Sequence, residues 1–209
     1  MTAGDAPAAD AEWAAWFARK NFTTDWTSPH CATWCRVFGD RRDAVRDVLE
    51  IGAWEGRSAV FFLHLFPRAT VTSVDTFAGS REHRLRLRWL TALRSAEHRF
   101  DSNVAEFGAR SVKVKADSRA ALTQLAAAGQ RFDLVYVDGS HHSSDVYADA
   151  AMSWPLVRRG GGMIFDDYEW NVMPDPIRRP KLGIDAFLRA FEGEYRELHR
   201  GYQIIVERT

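Results

Sequence analysis

Val48-Leu49-Glu50-Ile51-Gly52-Ala53-Trp54-Glu55-Gly56-Arg57-Ser58 reads as an apolar strand that runs into a glycine turn and then into a helix. Gly52 and Gly56 flank the turn, where glycine permits positive φ and lets a ligand approach the backbone. A strand, turn and helix of this kind is how α/β folds hold a nucleotide-like cofactor. A second stretch, Val135-Tyr136-Val137-Asp138-Gly139-Ser140-His141-His142, is answered by Phe165-Asp166-Asp167-Tyr168. Both begin as apolar strands and end in acids, so three carboxylates and two imidazoles gather at the ends of two further strands.

Working outward, apolar spacing predicts helices over Glu12 to Lys20, Cys31 to Phe38, Ser58 to Phe66, Glu82 to Arg99, Ser118 to Ala128, Ser143 to Val157 and Ile184 to Glu192. Strands are predicted over Val45 to Ile51, Val71 to Asp75, Ser111 to Lys115, Phe132 to Val137 and Gly160 to Phe165. Tyr195 to His199 and Tyr202 to Glu207 read as a terminal hairpin around Arg200-Gly201. Ser143 is placed to cap its helix. Trp170 to Pro180, with three prolines and no period, reads as a loop over the acceptor pocket, either a flap or a stiff connector. Alternating strands and helices imply an α/β, Rossmann-like fold. Its central sheet is mostly parallel, with helices on both faces and a C-terminal antiparallel hairpin.

Composition narrows the function. The chain has 209 residues, with 28 Lys plus Arg against 28 Asp plus Glu. No net charge draws it to nucleic acid or to an anionic membrane. No run of apolar residues is long enough to span a bilayer, and Met1 to Asp10 lacks the basic start and apolar core of a signal peptide. The expectation is a cytoplasmic protein, with a homo-oligomer left open. Cys31 and Cys35, the two cysteines, lack the further ligands of a zinc site and read as reduced, partly buried thiols. The basic run from Arg81 to Arg99 reads as a solvated helix face or as a cover for the pocket.

The cofactor residues follow in chain order. Asp75 ends the second strand, 23 positions after Gly52, where a carboxylate can accept both hydroxyls of a ribose. Asp117, after the third strand, is placed to accept from the exocyclic amine of adenine, with Ser118 beside it. Turn glycines and helix-capping acids are the plainer account of each residue taken singly. Taken together, Leu49-Glu50-Ile51-Gly52, Glu55-Gly56, Ser58, Ser73-Val74-Asp75-Thr76-Phe77, Lys115-Ala116-Asp117-Ser118 and Val137-Asp138-Gly139-Ser140-His141 resemble the class I S-adenosylmethionine-dependent methyltransferases. The small-molecule branch called family 24 is the nearest, and the resemblance runs from about Trp26 to Val206. It implies that Glu50, Gly52, Gly56 and Ser58 surround the methionine part of S-adenosylmethionine. Asp75 and Thr76 would hold the ribose, Asp117 and Ser118 the adenine, and Asp138 would lie against the cofactor. It also implies an N-terminal helical segment, residues 1–40, over the cofactor and a methyltransferase domain over 41–209. One departure is Trp54, where the usual turn has a third glycine. That blocks the close approach a dinucleotide pyrophosphate needs, and it counts against NAD more than against a cofactor without phosphate.

Asp138, Asp166 and Asp167 form an all-oxygen donor set that suits Mg²⁺ rather than zinc. Some O-methyltransferases of natural-product sugars and polyketides have a similar pattern that holds Mg²⁺, which implies the same role for these three acids. Adjacent acids that cap a helix or face solvent are the plainer account. His141 or His142 is the candidate base, with Asp138 beside them in the catalytic set. The leading expectation is therefore Mg²⁺-assisted O-methylation of a small hydroxylated metabolite. The rivals are a metal-independent methyltransferase with a histidine base, an NAD-dependent reductase and a non-catalytic cofactor-binding module. Absence of a Tyr-x-x-x-Lys pair counts against the reductase, and the joint presence of Asp138, His141, Asp166 and Asp167 counts against the module.

Overall fold

A computed structural model describes residues 13–79 and 87–209. The Ala-rich start, Glu12, and the beginning of the basic helix from Arg81 to residue 86 lie outside the described residues. The elements run α1 (residues 13–17), α2 (Ser28–Phe38), β1 (Asp47–Ile51), α3 (Arg57–Leu65), β2 (Thr70–Asp75), α4 (Leu87–Val104), β3 (Ser111–Lys115), α5 (Ser118–Ala127), β4 (Phe132–Val137), α6 (Ser143–Ser153), β5 (Val157–Phe165), α7 (Pro180–Ala190), β6 (Tyr195–Arg200) and β7 (Ile204–Arg208). Among the described residues seven strands form one sheet, in the order β3-β2-β1-β4-β5-β7-β6. The first five pair in parallel, and β7 and β6 join antiparallel. The expected α/β architecture and terminal hairpin are both present. Chain order reverses between β1 and β4, and the carboxyl ends there are where such sheets bind ligands.

Parallel strands covered on both faces must be apolar on both. Along β4, Leu134 and Tyr136 face a core layer with Trp34, Phe61, Phe62 and Phe66. Val135 and Val137 face the other layer, with Leu49, Trp154, Phe165 and Phe187. α2 is part of the first layer, with Cys31, Trp34 and Phe38 buried. Both thiols are free, and Cys31 is fully buried. Burial pushes its thiol up and keeps it protonated.

Several expected element ends move, and one expected cap is replaced. β5 begins at Val157, ahead of a register shift against β4 near Gly160-Gly161, so the strand is longer than its apolar run. The helix after His142 ends at Ser153, and Trp154-Pro155-Leu156 closes it as a 3₁₀ turn. Ser143 does not cap that helix. His142 holds the cap position, and the Ser143 hydroxyl donates to Ile177 O at 2.8 Å.

Glu50 lies inside the first layer and not in a ligand cavity. It is fully buried, between its register partners Ser73 on β2 and Tyr136 on β4. Ser73 Oγ donates to it at 2.8 Å, and Ser58 Oγ donates to its other oxygen. Burial pushes its carboxyl up to about 7, with the two serine bonds pulling the other way. The fold therefore favours the protonated acid. That contribution is full below the unfolded value near 4.5 and is lost as pH rises through about 7. Glu50→Gln should match the wild type in chemical denaturation at pH 4. At pH 8 it should exceed the wild type by on the order of 3 kcal/mol. An unchanged gap between the two proteins at both pH values contradicts this account of Glu50.

Candidate active site

The turn after β1 is held by Asp75. Its Oδ2 accepts from Ala53 N and Trp54 N, both at 2.8 Å, and its Oδ1 accepts from Phe77 N at 2.6 Å. These bonds keep Trp54 at a φ of 47°, in the left-handed region. The backbone therefore has the conformation a third glycine would supply, at a cost of about 1–2 kcal/mol for the side chain. Gly52 is needed for a different reason. Its φ is 90°, and a Cβ there would fall 2.1 Å from Asp138 O. Gly56 begins α3 with a φ of 80°, against the Phe100 ring. Glu55 ties down the other side of the turn. It is buried, accepts from Thr23 N at 2.5 Å and Thr23 Oγ1 at 2.7 Å, and pairs with Arg99 of α4 at 3.4 Å.

A cavity of about 1260 Å³ opens at the carboxyl ends of the parallel strands. Gly52, Asp75, Thr76, Asp117 and Ser118 line it, as do Asp138, His141, Asp166 and Asp167. Most of the residues singled out in the sequence thus meet in one space. Glu50, Gly56 and His142 do not line it. Ser58 reaches only a separate void of about 30 Å³ behind Gly52 and Asp138, which has room for one water. Asp117 is exposed and caps α5 by accepting from Arg119 N at 3.0 Å. Thr76 is exposed, with its hydroxyl accepting from Ala78 N at 3.2 Å.

At the centre, acids and phenols share protons. Tyr136 is buried, and its hydroxyl lies 3.0 Å from Asp138 Oδ2 and also bonds Asp166 Oδ2. Desolvation and the neighbouring carboxylates raise Asp138 well above the usual range, and they raise Asp166 too. Asp167 has a φ of 61° and is held from two sides. Tyr202 donates to its Oδ1 at 2.8 Å, and His141 Nε2 lies 2.9 Å from its Oδ2. The His141 ring stacks on Trp170 with centroids 4.5 Å apart. Among the described residues, no three His, Cys, Asp or Glu side chains already stand as a ligand set for a metal ion. The donors nevertheless fit a hard cation in kind. They are all carboxylate oxygens, and the charged forms of Asp138 and Asp166 are disfavoured by burial and by the acids around them.

Three residues escape sequence reasoning. Tyr136 carries a usable signal, because it lies two residues before Asp138 and so on the same strand face. Tyr202 comes from the hairpin turn and reaches Asp167 only through the pairing of β7 with β5. Asp149 of α6 is buried at the cavity wall, where it accepts from Ser118 Oγ at 2.7 Å. The loop after Trp170 carries one 3₁₀ turn, Pro176–Arg178. It is pinned by Ser143 to Ile177 O and by Arg179 Nε to Met173 O at 2.8 Å. It forms a cavity wall through Val172 and Met173. Trp26, 49% exposed, faces Trp54 across the mouth at 5.9 Å.

Residues 49–168 match the family model described as a methyltransferase domain. Mycinamicin VI 2''-O-methyltransferase of Micromonospora griseorubida is 30% identical over 149 residues, which is 68% of this chain and 31% of that protein. Among solved structures, the MycE methyltransferase with Mg and S-adenosylhomocysteine superposes with a TM-score of 0.63 at 22% identity. That match covers 98% of this chain and 55% of MycE. The O-methyltransferase NovP superposes with a TM-score of 0.62 at 17% identity, covering 87% of this chain and 78% of NovP. The chain thus spans about a third of the curated relative and about half of MycE. No helix among the described residues is long and apolar enough to cross a membrane. The family match spans more than half of the sequence and contains both the Asp75-held turn and the Asp138–Asp166 pair, so this chain belongs to the methyltransferase-domain family, among the class I enzymes that use S-adenosylmethionine.

Proposed function

We propose that the protein transfers a methyl group from S-adenosylmethionine to a hydroxyl of a small metabolite, with assistance from Mg²⁺ or a similar hard ion. The observation that carries this reading is the meeting of Asp138, Asp166, Asp167 and His141 in one cavity, beside the turn that Asp75 holds. The cofactor would lie along Gly52 and Asp75, and residues up to 40 would cover it through Pro29 and His30 of α2. Asp75 has given three acceptor positions to the backbone, two on Oδ2 and one on Oδ1, so about one lone pair, on Oδ1, is left to take a ribose hydroxyl.

In the transfer, the C–S bond to the methyl carbon breaks, a C–O bond to the acceptor forms, and the hydroxyl proton leaves. His141 would take that proton, with its ring oriented by Asp167 and by stacking on Trp170. Asp138, Asp166 and Asp167 would hold the ion, which when bound would lower the pKa of the hydroxyl and fix its direction. The chain's own contribution is alignment of the two reactants in one cavity. The mouth is apolar, with Trp26, Trp170, Val172 and Met173 around it. This favours an acceptor with a sizeable apolar body beside its hydroxyl, and the small-molecule acceptor in the MycE complex with mycinamycin VI supports that class. A second reading, proton removal by His141 without metal, is supported by the Asp167 carboxylate 2.9 Å from its Nε2, which would orient the ring and balance its charge.

Release of S-adenosylhomocysteine, measured over a panel of hydroxylated glycosides and phenols, separates the two readings. After EDTA treatment the rate should fall by about tenfold or more and return with Mg²⁺. A full rate after EDTA leaves the histidine-only mechanism. His141→Asn should lower the turnover rate by about a hundredfold or more and leave the affinity for S-adenosylhomocysteine within about twofold. An unchanged rate removes His141 from the chemistry.

A further inference from the structure

Asp149 is a buried acid that the reading above does not use. It lies on α6 with only 3% of its surface exposed. Its Oδ1 accepts from Ser118 Oγ at 2.7 Å, and its Oδ2 accepts no hydrogen bond among the described residues. The closest candidate cation, Arg119, is engaged elsewhere, with its Nη2 2.7 Å from Asp145 Oδ1. Asp149 lines the cavity on the side of Ser118 and Gly139. A Cβ added at Gly139 would lie 3.4 Å from Asp149 Oδ2, so the missing side chain leaves that oxygen uncovered. Burial pushes this carboxyl up to about 6, against the pull of the Ser118 bond, as expected for an acceptor whose needs are half met.

Two acids could therefore face the purine end of the cofactor, and their surroundings separate them. Asp117 is exposed, and one of its oxygens already caps α5. Water can replace any donor that an exposed carboxylate loses, so its discrimination between ligands is weak. A carboxylate oxygen sealed from water except through the ligand cavity has no substitute donor, and it rejects a ligand that brings an acceptor instead.

We propose that Asp149, through Oδ2, accepts from the exocyclic amine of the cofactor's adenine and makes the site select a 6-amino purine over a 6-oxo purine, with Ser118 holding the carboxylate in place and Asp117 serving α5. The inference rests on the reading of this cavity as the S-adenosylmethionine site.

The test is calorimetric binding of S-adenosylhomocysteine and of its deaminated analogue S-inosylhomocysteine. The wild type, Asp149→Asn, Asp117→Asn and Ser118→Ala are compared, each first checked for an unchanged melting transition. The wild type should prefer the amino ligand by about tenfold or more. Asp149→Asn, whose amide oxygen can keep the Ser118 bond while its NH₂ faces the ligand, should erase or reverse that preference. Asp117→Asn should retain it. Ser118→Ala, which removes the hydroxyl that holds the carboxylate, should reduce it by about threefold or more; this variant keeps the proposal open to test if Asp149→Asn does not fold. A preference unchanged in Asp149→Asn or in Ser118→Ala, or lost in Asp117→Asn, overturns the proposal. Failure of the wild type to bind either ligand overturns the cofactor reading itself, which is a separate result.

Discussion

Parallel pairing of β4 with β5 in the register Val137↔Phe165 places the next two residues, Asp138 and Asp166, side by side at the end of the sheet. Neither can leave without shifting a strand buried on both faces. The site follows from this constraint. Two acids in apolar surroundings cannot both ionise cheaply, so both are raised and both bond the hydroxyl of Tyr136. Asp167 is turned by its positive φ toward Tyr202 and His141. The hairpin added at the β5 edge supplies Tyr202 and so fixes the direction in which Asp167 points. Hydrogen bonds from the Tyr136 and Tyr202 hydroxyls hold the three acids in this arrangement.

The other half of the cavity rests on a single carboxylate used differently. Asp75 accepts three backbone N–H groups and thereby shapes the turn against which a cofactor would lie. Trp54 can replace a glycine there because those bonds hold its left-handed backbone. Its ring then forms the cavity wall together with Trp26. A position that departs from the family pattern in sequence keeps the pattern's backbone and changes the surface.

What is legible in the sequence is local. An apolar strand, a glycine turn and an acid at a strand end are each written within a few residues, so the amino-acid order alone is enough to place Gly52, Asp75, Asp138, Asp166 and Asp167 in one site. Strand-to-helix alternation likewise implies the parallel sheet and the terminal hairpin. What is not legible depends on pairing across the chain. Tyr202 reaches Asp167 across 35 positions, and Ser118 reaches Asp149 across 31. No spacing rule links such residues. Glu50 sits in the motif and so reads as a cofactor residue, but strand alternation turns it into the core between Ser73 and Tyr136. His141 and His142 look equivalent in the sequence; the start of α6 at Ser143 takes His142 as its cap residue and leaves His141 in the cavity. Pro155 is the signal that shortens the helix before it, since proline seldom continues one.

The central claim is that the acids ending β4 and β5 repel one another until a cation or protons balance them. The direct measurement is thermal unfolding of the wild type and of Asp166→Asn, each with EDTA and with Mg²⁺. Without metal, the variant should melt at or above the wild-type temperature, because a buried like charge has been removed. With Mg²⁺ the wild type should gain several degrees and the variant should gain little. A variant that is strongly destabilised in EDTA, or one that keeps the full Mg²⁺ gain, would contradict the account.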